Sequence, residues 1–90
     1  MLEKDIERKS AQWAKRNDWL TYKFTSPAQR GVPDRVFIKG GRVVFIEYKT
    51  AKGRTTKLQD LVIAAMRAHG AEVYVCRSVD ETKEVLGESN

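Results

Sequence analysis

The sequence predicts a small α/β domain in which helices pack on a mixed β-sheet. Three features support this: an amphipathic N-terminal segment, two alternating apolar segments joined by adjacent glycines, and a strand–helix–strand pattern in the C-terminal half. The predicted order is α-β-β-β-α-β-α, and the 90 residues fit a single domain, 1–90. The two strands that flank the second helix should be parallel, with a right-handed crossover.

The N-terminal third is predicted to form a helix, a short strand and a loop. The helix covers residues 3 to 17 and strand-like alternation covers 19 to 24; TSPAQRGVP, residues 25 to 33, has the Pro and Gly content of a loop. One stripe of the helix carries Ile6, Ser10, Trp13, Ala14 and Asn17, and the last of these is a candidate C-terminal cap.

The middle of the chain is predicted to form a β-hairpin, and the rest a helix, a strand and a short final helix. The Gly40-Gly41 pair favours a two-residue turn between strands at about 34–39 and 42–49. A helix from about Thr56 to His69 ends before Gly70, and residues 72–76 and 79–86 form the last strand and helix. The predicted buried stripe of the helix from Thr56 to His69 contains Leu58, Leu61, Val62, Ala65 and Met66.

The hairpin turn determines which residues face each other at the open end of the two strands. With the two glycines in the turn, Lys39 pairs with Arg42, and continuing the count brings Asp34 opposite Glu47. Side chains in this position have Cβ atoms about 5 Å apart, and like charges there destabilise the pair. A β-bulge would change this last pairing.

Strand alternation places Lys49 on the same face as Glu47. Either this lysine or a divalent cation must therefore offset the two acids. Mg²⁺ binds oxygen ligands, usually one or two carboxylates with water and phosphate oxygens, and can polarise a phosphoryl group and activate a water. Lys49 would then position that water or stabilise charge in the transition state. The alternative is that Asp34, Glu47 and Lys49 form a surface salt-bridge triad.

The charge distribution favours a polyanionic partner. The chain has 17 Lys and Arg against 12 Asp and Glu, and nine of the basic residues lie between Lys23 and Lys57. We expect nucleic acid and no membrane, because the sequence has no apolar run of about 20 residues and no basic amphipathic helix stands out. Ordinary solubility is the alternative reading of this charge. A single cysteine and a charged N-terminus without a secretory signal predict a cytoplasmic location.

The residues at the open end of the hairpin also resemble a known signature. Pro33-Asp34 followed by Glu47-Tyr48-Lys49 resembles the PD…ExK pattern of the restriction-endonuclease-like superfamily. More narrowly, the chain resembles the VRR-Nuc (virus-type replication–repair nuclease) family over nearly its whole length. This resemblance is carried by GVPD, the hairpin with GGRVVFIEYK, the Lys/Gly loop, the helix with Gln59, and AHGAEVYVCRSVDE.

The resemblance implies a restriction-endonuclease-like core that cleaves DNA phosphodiester bonds with Mg²⁺ or Mn²⁺. Asp34 and Glu47 would be metal ligands, the carbonyl of Tyr48 a further ligand, and Lys49 would complete the catalytic core. The family also carries a glutamine after the ExK strand, which Gln59 matches. A capping box with the threonine three residues earlier is a second role for this glutamine, and the two roles are not exclusive.

The family also carries an acid on the first helix, and this chain offers two candidates one turn apart. Glu3 fits the family spacing better than Glu7, so we expect Glu3 to be the catalytic acid. The alternative for Glu3 is a first-turn acid favoured by the helix dipole.

Several basic residues should surround the predicted site and contact DNA phosphates. The candidates are Arg30, Lys52, Arg54 and Lys57, whereas Arg35 projects from the other strand face and is a weaker candidate. The alternative is ordinary solvated charge.

By the same resemblance, small members of the family look like structure-selective nucleases that act on branched DNA, in the manner of Holliday-junction resolvases. Symmetric cutting of a four-way junction needs two active sites, so we expect a homodimer. The absence of a base-reading motif agrees with recognition of DNA shape. A phage or prokaryotic host cytosol is the implied location. The alternatives are a nuclease of different selectivity, and a non-catalytic basic nucleic-acid-binding domain that keeps the nuclease-like fold.

Overall fold

The computed structural model describes residues 1–87 and contains a four-stranded mixed sheet with three helices. Its elements follow the predicted order, which confirms the α/β class. Their bounds are α1 Glu3–Arg16, β1 Leu20–Lys23, β2 Arg35–Lys39, β3 Arg42–Tyr48, α2 Lys57–Ala68, β4 Glu72–Cys76 and α3 Val79–Gly87.

The sheet has the strand order β1-β2-β3-β4, so the predicted hairpin lies at its centre. The first two strand pairs are antiparallel, and β3 pairs with β4 in parallel, as the strand–helix–strand pattern predicted. Gly40 and Gly41 both have positive φ angles, 56° and 84°, which a primed two-residue turn requires. The predicted register is confirmed from Lys39–Arg42 to Arg35–Ile46.

The apolar core lies between one face of this sheet and helices α1 and α3. Alternate residues of β3 point into it, because strand side chains alternate between faces. The core cluster consists of Ile6, Ala14, Trp19, Phe37, Val44, Ile46, Tyr48, Cys76 and Leu86. Buried hydroxyls join the layers: Thr82 of α3 lies 3.0 Å from Ser10 Oγ of α1 and 2.9 Å from the Tyr48 hydroxyl of β3.

Helix α1 follows its predicted stripe with two differences. Ile6, Ser10 and Ala14 are buried as predicted, but Ala11 is buried in addition and Asn17 is exposed. Asn17 is the C-cap of the helix, as predicted, and its amide donates to the Trp13 carbonyl. No helix within residues 1–87 is long and apolar enough to cross a membrane.

Helix α2 lies on the opposite face of the sheet, and its predicted buried stripe is wrong. Ile63 is the buried residue of this helix, whereas Leu58 and Leu61 are 42% and 63% exposed. The helix is rotated so that Gln59 and Ile63 face the sheet. The stripe residues Leu58, Leu61, Val62, Ala65 and Met66 instead line an open apolar groove of about 500 Å³, together with Phe24, Gln29 and Val32.

Candidate active site

The regular β2–β3 ladder stops one rung before the predicted pair of acids. Asp34 lies just before β2, and its backbone N–H donates to the Ile46 carbonyl at 3.1 Å, one residue out of register with the ladder. This shift is typical of a β-bulge. The Asp34 side chain instead accepts a 2.7 Å hydrogen bond from the Tyr48 N–H through Oδ2. The predicted direct rung between Asp34 and Glu47 is therefore wrong, although both residues lie at the same open end of the hairpin.

Glu47 is buried near the end of β3, on the face covered by α2. Its Oε2 atom accepts a hydrogen bond from Gln59 Nε2 at 3.1 Å and lies 3.5 Å from the Lys49 ammonium. Its Oε1 atom is also buried but has no hydrogen-bond partner within residues 1–87. Glu47 is only 2% exposed, so this oxygen has lost its hydration without a protein donor in return.

Burial and nearby negative charges shift both carboxylates toward their neutral forms. The pKa of Glu47 is raised to about 7, first by burial and then by the negative charge of Asp34, against the opposing effect of Lys49. The pKa of Asp34 is also raised, mainly by burial and partly by the charge of Glu7, although the Tyr48 N–H lowers it. The two acids are therefore close enough to interact, and a cation between them would relieve both shifts.

Gln59 forms the predicted capping box and also contacts Glu47, while its catalytic role stays a prediction. Its side-chain oxygen accepts from the Thr56 N–H at 2.9 Å, and its backbone N–H donates to Thr56 Oγ1 at 3.1 Å, which completes the capping box. The same side chain donates to Glu47. The start of α2 therefore fixes the orientation of one Glu47 oxygen.

The two acids predicted on α1 have different surroundings. Glu7 accepts from Lys23 Nζ at 2.9 Å and from Arg35 Nε at 2.9 Å, so it is held in ion pairs. Glu3 is exposed, and its charge contributes to the raised pKa values of both Asp34 and Glu47. The charge of Glu7 raises the pKa of Asp34 as well, so both acids act on the acid pair, and Glu3 as the catalytic acid stays a prediction.

The donor set fits a hard divalent cation held by few protein ligands. Within residues 1–87 no three Asp, Glu, His or Cys side chains converge as a ready metal cage. The candidate protein ligands are therefore two carboxylates, Asp34 and Glu47. One buried oxygen of Glu47 has no hydrogen-bond partner within residues 1–87. Mg²⁺ is commonly held by one or two carboxylates, with water and phosphate oxygens in the other positions. The Tyr48 carbonyl stays a predicted further ligand, and the buried Tyr48 side chain is committed to the core.

The predicted phosphate contacts are exposed and unpaired. Arg30, Lys52, Arg54 and Lys57 have no side-chain hydrogen bond or ion pair in the part of the chain that the structure describes. Sequence reasoning missed Arg77, whose guanidinium donates to the Thr50 carbonyl at 2.9 Å and also to the Gly53 carbonyl. Arg77 therefore holds the loop that carries Lys52 beside the end of β3. Only its position directly after a strand could have indicated this role.

Comparison with known proteins identifies the family of the chain and supports its fold. The family model described as the VRR-NUC domain matches residues 3–80. A phage protein named "Putative nuclease p44", from Acyrthosiphon pisum secondary endosymbiont phage 1, is 35% identical over 79 residues, which cover 87% of this chain and 85% of the phage protein. A solved structure described as a VRR_NUC domain has a TM-score of 0.86 and 19% identity, over 98% of this chain and 97% of that chain; this likeness supports the fold.

Proposed function

Because the chain belongs to the VRR-NUC domain family, we propose that it is a metal-dependent endonuclease that hydrolyses phosphodiester bonds in branched DNA. Membership of a nuclease family makes DNA the expected substrate. The metal requirement and the preference for branched DNA, in the manner of a Holliday-junction resolvase, are the parts that experiment must decide.

One observation carries the proposal: the buried carboxylate of Glu47 has one oxygen bound by protein donors and one without a partner, beside a second acid. The Lys49 ammonium offsets only part of the Glu47 charge, and leaving a buried polar group without a donor costs on the order of 1 to 3 kcal/mol. Such an arrangement is typical of functional sites, where a ligand supplies the missing charge. A Mg²⁺ or Mn²⁺ ion at Asp34 and Glu47 would supply it here.

Each side chain would have a distinct task in hydrolysis. Asp34 and Glu47 hold the cation, which when bound polarises the scissile phosphodiester and supplies an activated water. Gln59 orients Glu47 by its 3.1 Å hydrogen bond. Lys49, whose ammonium lies 3.5 Å from the same carboxylate, stabilises negative charge that develops on the phosphoryl oxygens. Glu3 adds a carboxylate at the rim that can orient water.

The basic residues around the site would bind the phosphates that flank the scissile bond. Arg30, Lys52, Arg54 and Lys57 are exposed, and no acid within residues 1–87 neutralises their side chains. Phosphate contacts of this kind position DNA without reading its sequence, which suits recognition by shape. A junction has two strands to cut and each chain has one such site, so a homodimer follows from the proposed substrate.

The test is cleavage of a four-way junction, a flap and a linear duplex at one salt concentration, with Mg²⁺, Mn²⁺ or EDTA. We expect cleavage with either ion, none with EDTA, and the fastest cutting of the junction. Equal cleavage of all three substrates would reject the branched-DNA preference alone, while undiminished cleavage in EDTA would reject the metal mechanism. Sedimentation equilibrium measures the dimer separately, and a monomeric mass would reject it.

A further inference from the structure

A second cationic surface borders the active site on the side away from the Lys52 loop. It is a cavity of about 350 Å³ between α1 and the β1–β2 edge, here called the α1 groove. Its charged lining consists of Lys4, Arg8 and Lys15 from α1, Lys23 from β1, Arg35 from β2, and a single acid, Glu7. Cations therefore outnumber acids in this groove.

The three basic residues of α1 lie on one side of the helix. Positions four and seven residues apart project in similar directions, so Lys4, Arg8 and Lys15 form a continuous stripe. At 1.5 Å per residue, the backbone span from Lys4 to Lys15 is about 16 Å. This is the rise of roughly five base pairs at 3.4 Å each, which suits contacts to several phosphates of a DNA strand.

The cations of the groove differ in charge compensation. Glu7 contacts both Lys23 and Arg35 at 2.9 Å, so its single negative charge offsets part of their two positive ones. Arg8 approaches Asp5 only at 3.5 Å, with side chains that are 57% and 33% exposed, and such a pair is weak. Lys4 and Lys15 are exposed and have no acidic partner within residues 1–87. The α1 stripe of Lys4, Arg8 and Lys15 is therefore free to bind an anion.

The groove is connected directly to the acid pair. Arg35 follows Asp34 in the chain and pairs with Lys23 across the β1–β2 ladder. The next backbone contact of that ladder is the Phe24 N–H to the Asp34 carbonyl, at 2.8 Å. In the strand order β1-β2-β3-β4, Asp34 directly precedes β2 and Glu47 lies in β3, and these are the two central strands. The groove lies toward β1, while Arg77, directly after β4, holds the Lys52 loop on the other side.

We propose that the α1 groove binds the phosphate backbone of the DNA arm that leaves the active site on the β1 side. The proposal rests on the nuclease function above and extends it, because it gives the substrate contacts on both sides of the scissile bond. Lys4 and Lys15 make the main phosphate contacts, with Arg8 between them. Glu7 limits the depth to which the strand enters, since it repels phosphate near Lys23 and Arg35.

The test compares two double variants of the same helix. Lys4→Ala with Lys15→Ala removes the free cations of the groove, and Lys9→Ala with Arg16→Ala removes two exposed cations of α1 that do not line it. Binding of a labelled four-way junction is measured in EDTA by fluorescence anisotropy across a range of salt concentrations. Thermal melting by circular dichroism confirms that both variants fold.

We expect the groove variant to bind about tenfold more weakly, with a slope of log K against log salt reduced by about 2, since each lost phosphate contact removes roughly 0.9. The control variant should bind within about twofold of the wild type. Equal losses in both variants, or none in the groove variant, would overturn the proposal while leaving wild-type cleavage intact. A wild-type protein that neither binds nor cuts DNA would instead reject the nuclease function, and this inference with it.

Discussion

The β2–β3 hairpin carries charged side chains at both ends. Neighbouring groups balance the charge of the acid at the turn end, whereas at the open end the acids outnumber the lysine. At the turn end, Arg42 Nε and Nη2 each donate to Glu72 at 2.9 Å, and the Tyr74 hydroxyl donates to the same carboxylate at 2.8 Å. Only Arg42 Nη1 lacks an acceptor there, within the described residues. At the open end, two acids lie near one lysine, and a buried oxygen of Glu47 has no donor among residues 1–87.

The pKa values of the two glutamates show the consequence of this difference. Hydrogen bonds from Arg42 lower the pKa of Glu72, so its charge is stabilised within the fold. Burial and the charge of Asp34 raise the pKa of Glu47 to about 7. One sheet thus contains an acid whose charge the fold stabilises and an acid whose charge it destabilises. We infer that the turn end serves stability and the open end serves function.

The largest expected effect that separates the two ends is on cleavage. Glu47→Gln should lower the cleavage rate by at least about 10³-fold, because it removes a carboxylate needed to hold the cation. Glu72→Gln changes the same residue type at the turn end and should leave the rate within about twofold of the wild type. Initial rates on supercoiled plasmid measure both. Similar rates for Glu47→Gln and the wild type would contradict the site assignment.

A smaller effect should separate two lysines near the open end. Lys49→Met should lower the rate about 10²-fold and leave the affinity for uncut DNA in EDTA nearly unchanged, because its ammonium acts on the developing charge. Lys52→Met should do the reverse, with weaker binding and a modest rate change at saturating DNA. If both variants lose only affinity, Lys49 is a phosphate contact and has no catalytic role.

Stability should respond to pH in a way that follows from Glu47. Its pKa is raised from 4.5 to about 7 in the fold, so its contribution to stability is complete below about pH 4.5 and is lost as pH rises through 7. At pH 8 without metal, Glu47→Gln should therefore stabilise the protein by about 3 kcal/mol, roughly 15 °C in Tm. The gain should fall below about 1 kcal/mol near pH 5.

Adding Mg²⁺ or Mn²⁺ to this stability experiment tests whether the ion binds at Glu47. Either ion should raise the melting temperature of the wild type at pH 8, because it binds the folded state alone, and should not raise that of Glu47→Gln. Differential scanning fluorimetry at pH 5 and pH 8, with and without the ion, gives the full set of values. A wild type more stable than Glu47→Gln at pH 8 without metal would show that the Glu47 charge is already satisfied.

The smallest effect on stability is expected at the turn end. A double-mutant cycle with Arg42→Met and Glu72→Gln should give a coupling of about 0.5 to 1 kcal/mol, since both side chains are partly exposed to water. Urea denaturation at pH 7 measures the four variants. A coupling near zero would mean that the hydrogen bonds at the turn end leave stability unchanged, and the contrast between the ends would then depend on the open end alone.

Local rules made the hairpin predictable from the sequence. The two adjacent glycines determine the turn, and strand alternation then places Val44, Ile46 and Tyr48 in the core and Glu47 on the other face. The same rules predicted the capping box that brings Gln59 to the start of α2. Each of these depends on residues close in the sequence or on a register that one turn sets.

The errors occur where several elements meet. The apolar stripe of α2 was visible, but its rotation is set by contacts of Gln59 with Glu47 and by the burial of Ile63, which periodicity alone does not contain. The shift at Asp34 arises because its side chain accepts from the Tyr48 N–H, so the ladder ends one residue early. The ion pairs of Glu7 likewise join three separate elements.

The most direct test of the account is a Mn²⁺ titration followed by electron paramagnetic resonance, in the wild type, Asp34→Asn, Glu47→Gln and Glu72→Gln. We predict that the wild type and Glu72→Gln bind the ion, and that the two open-end variants lose it together with DNA cleavage. Mn²⁺ binding of equal strength in all four proteins, or cleavage that persists without the ion, would contradict the claim that Asp34 and Glu47 hold a catalytic cation.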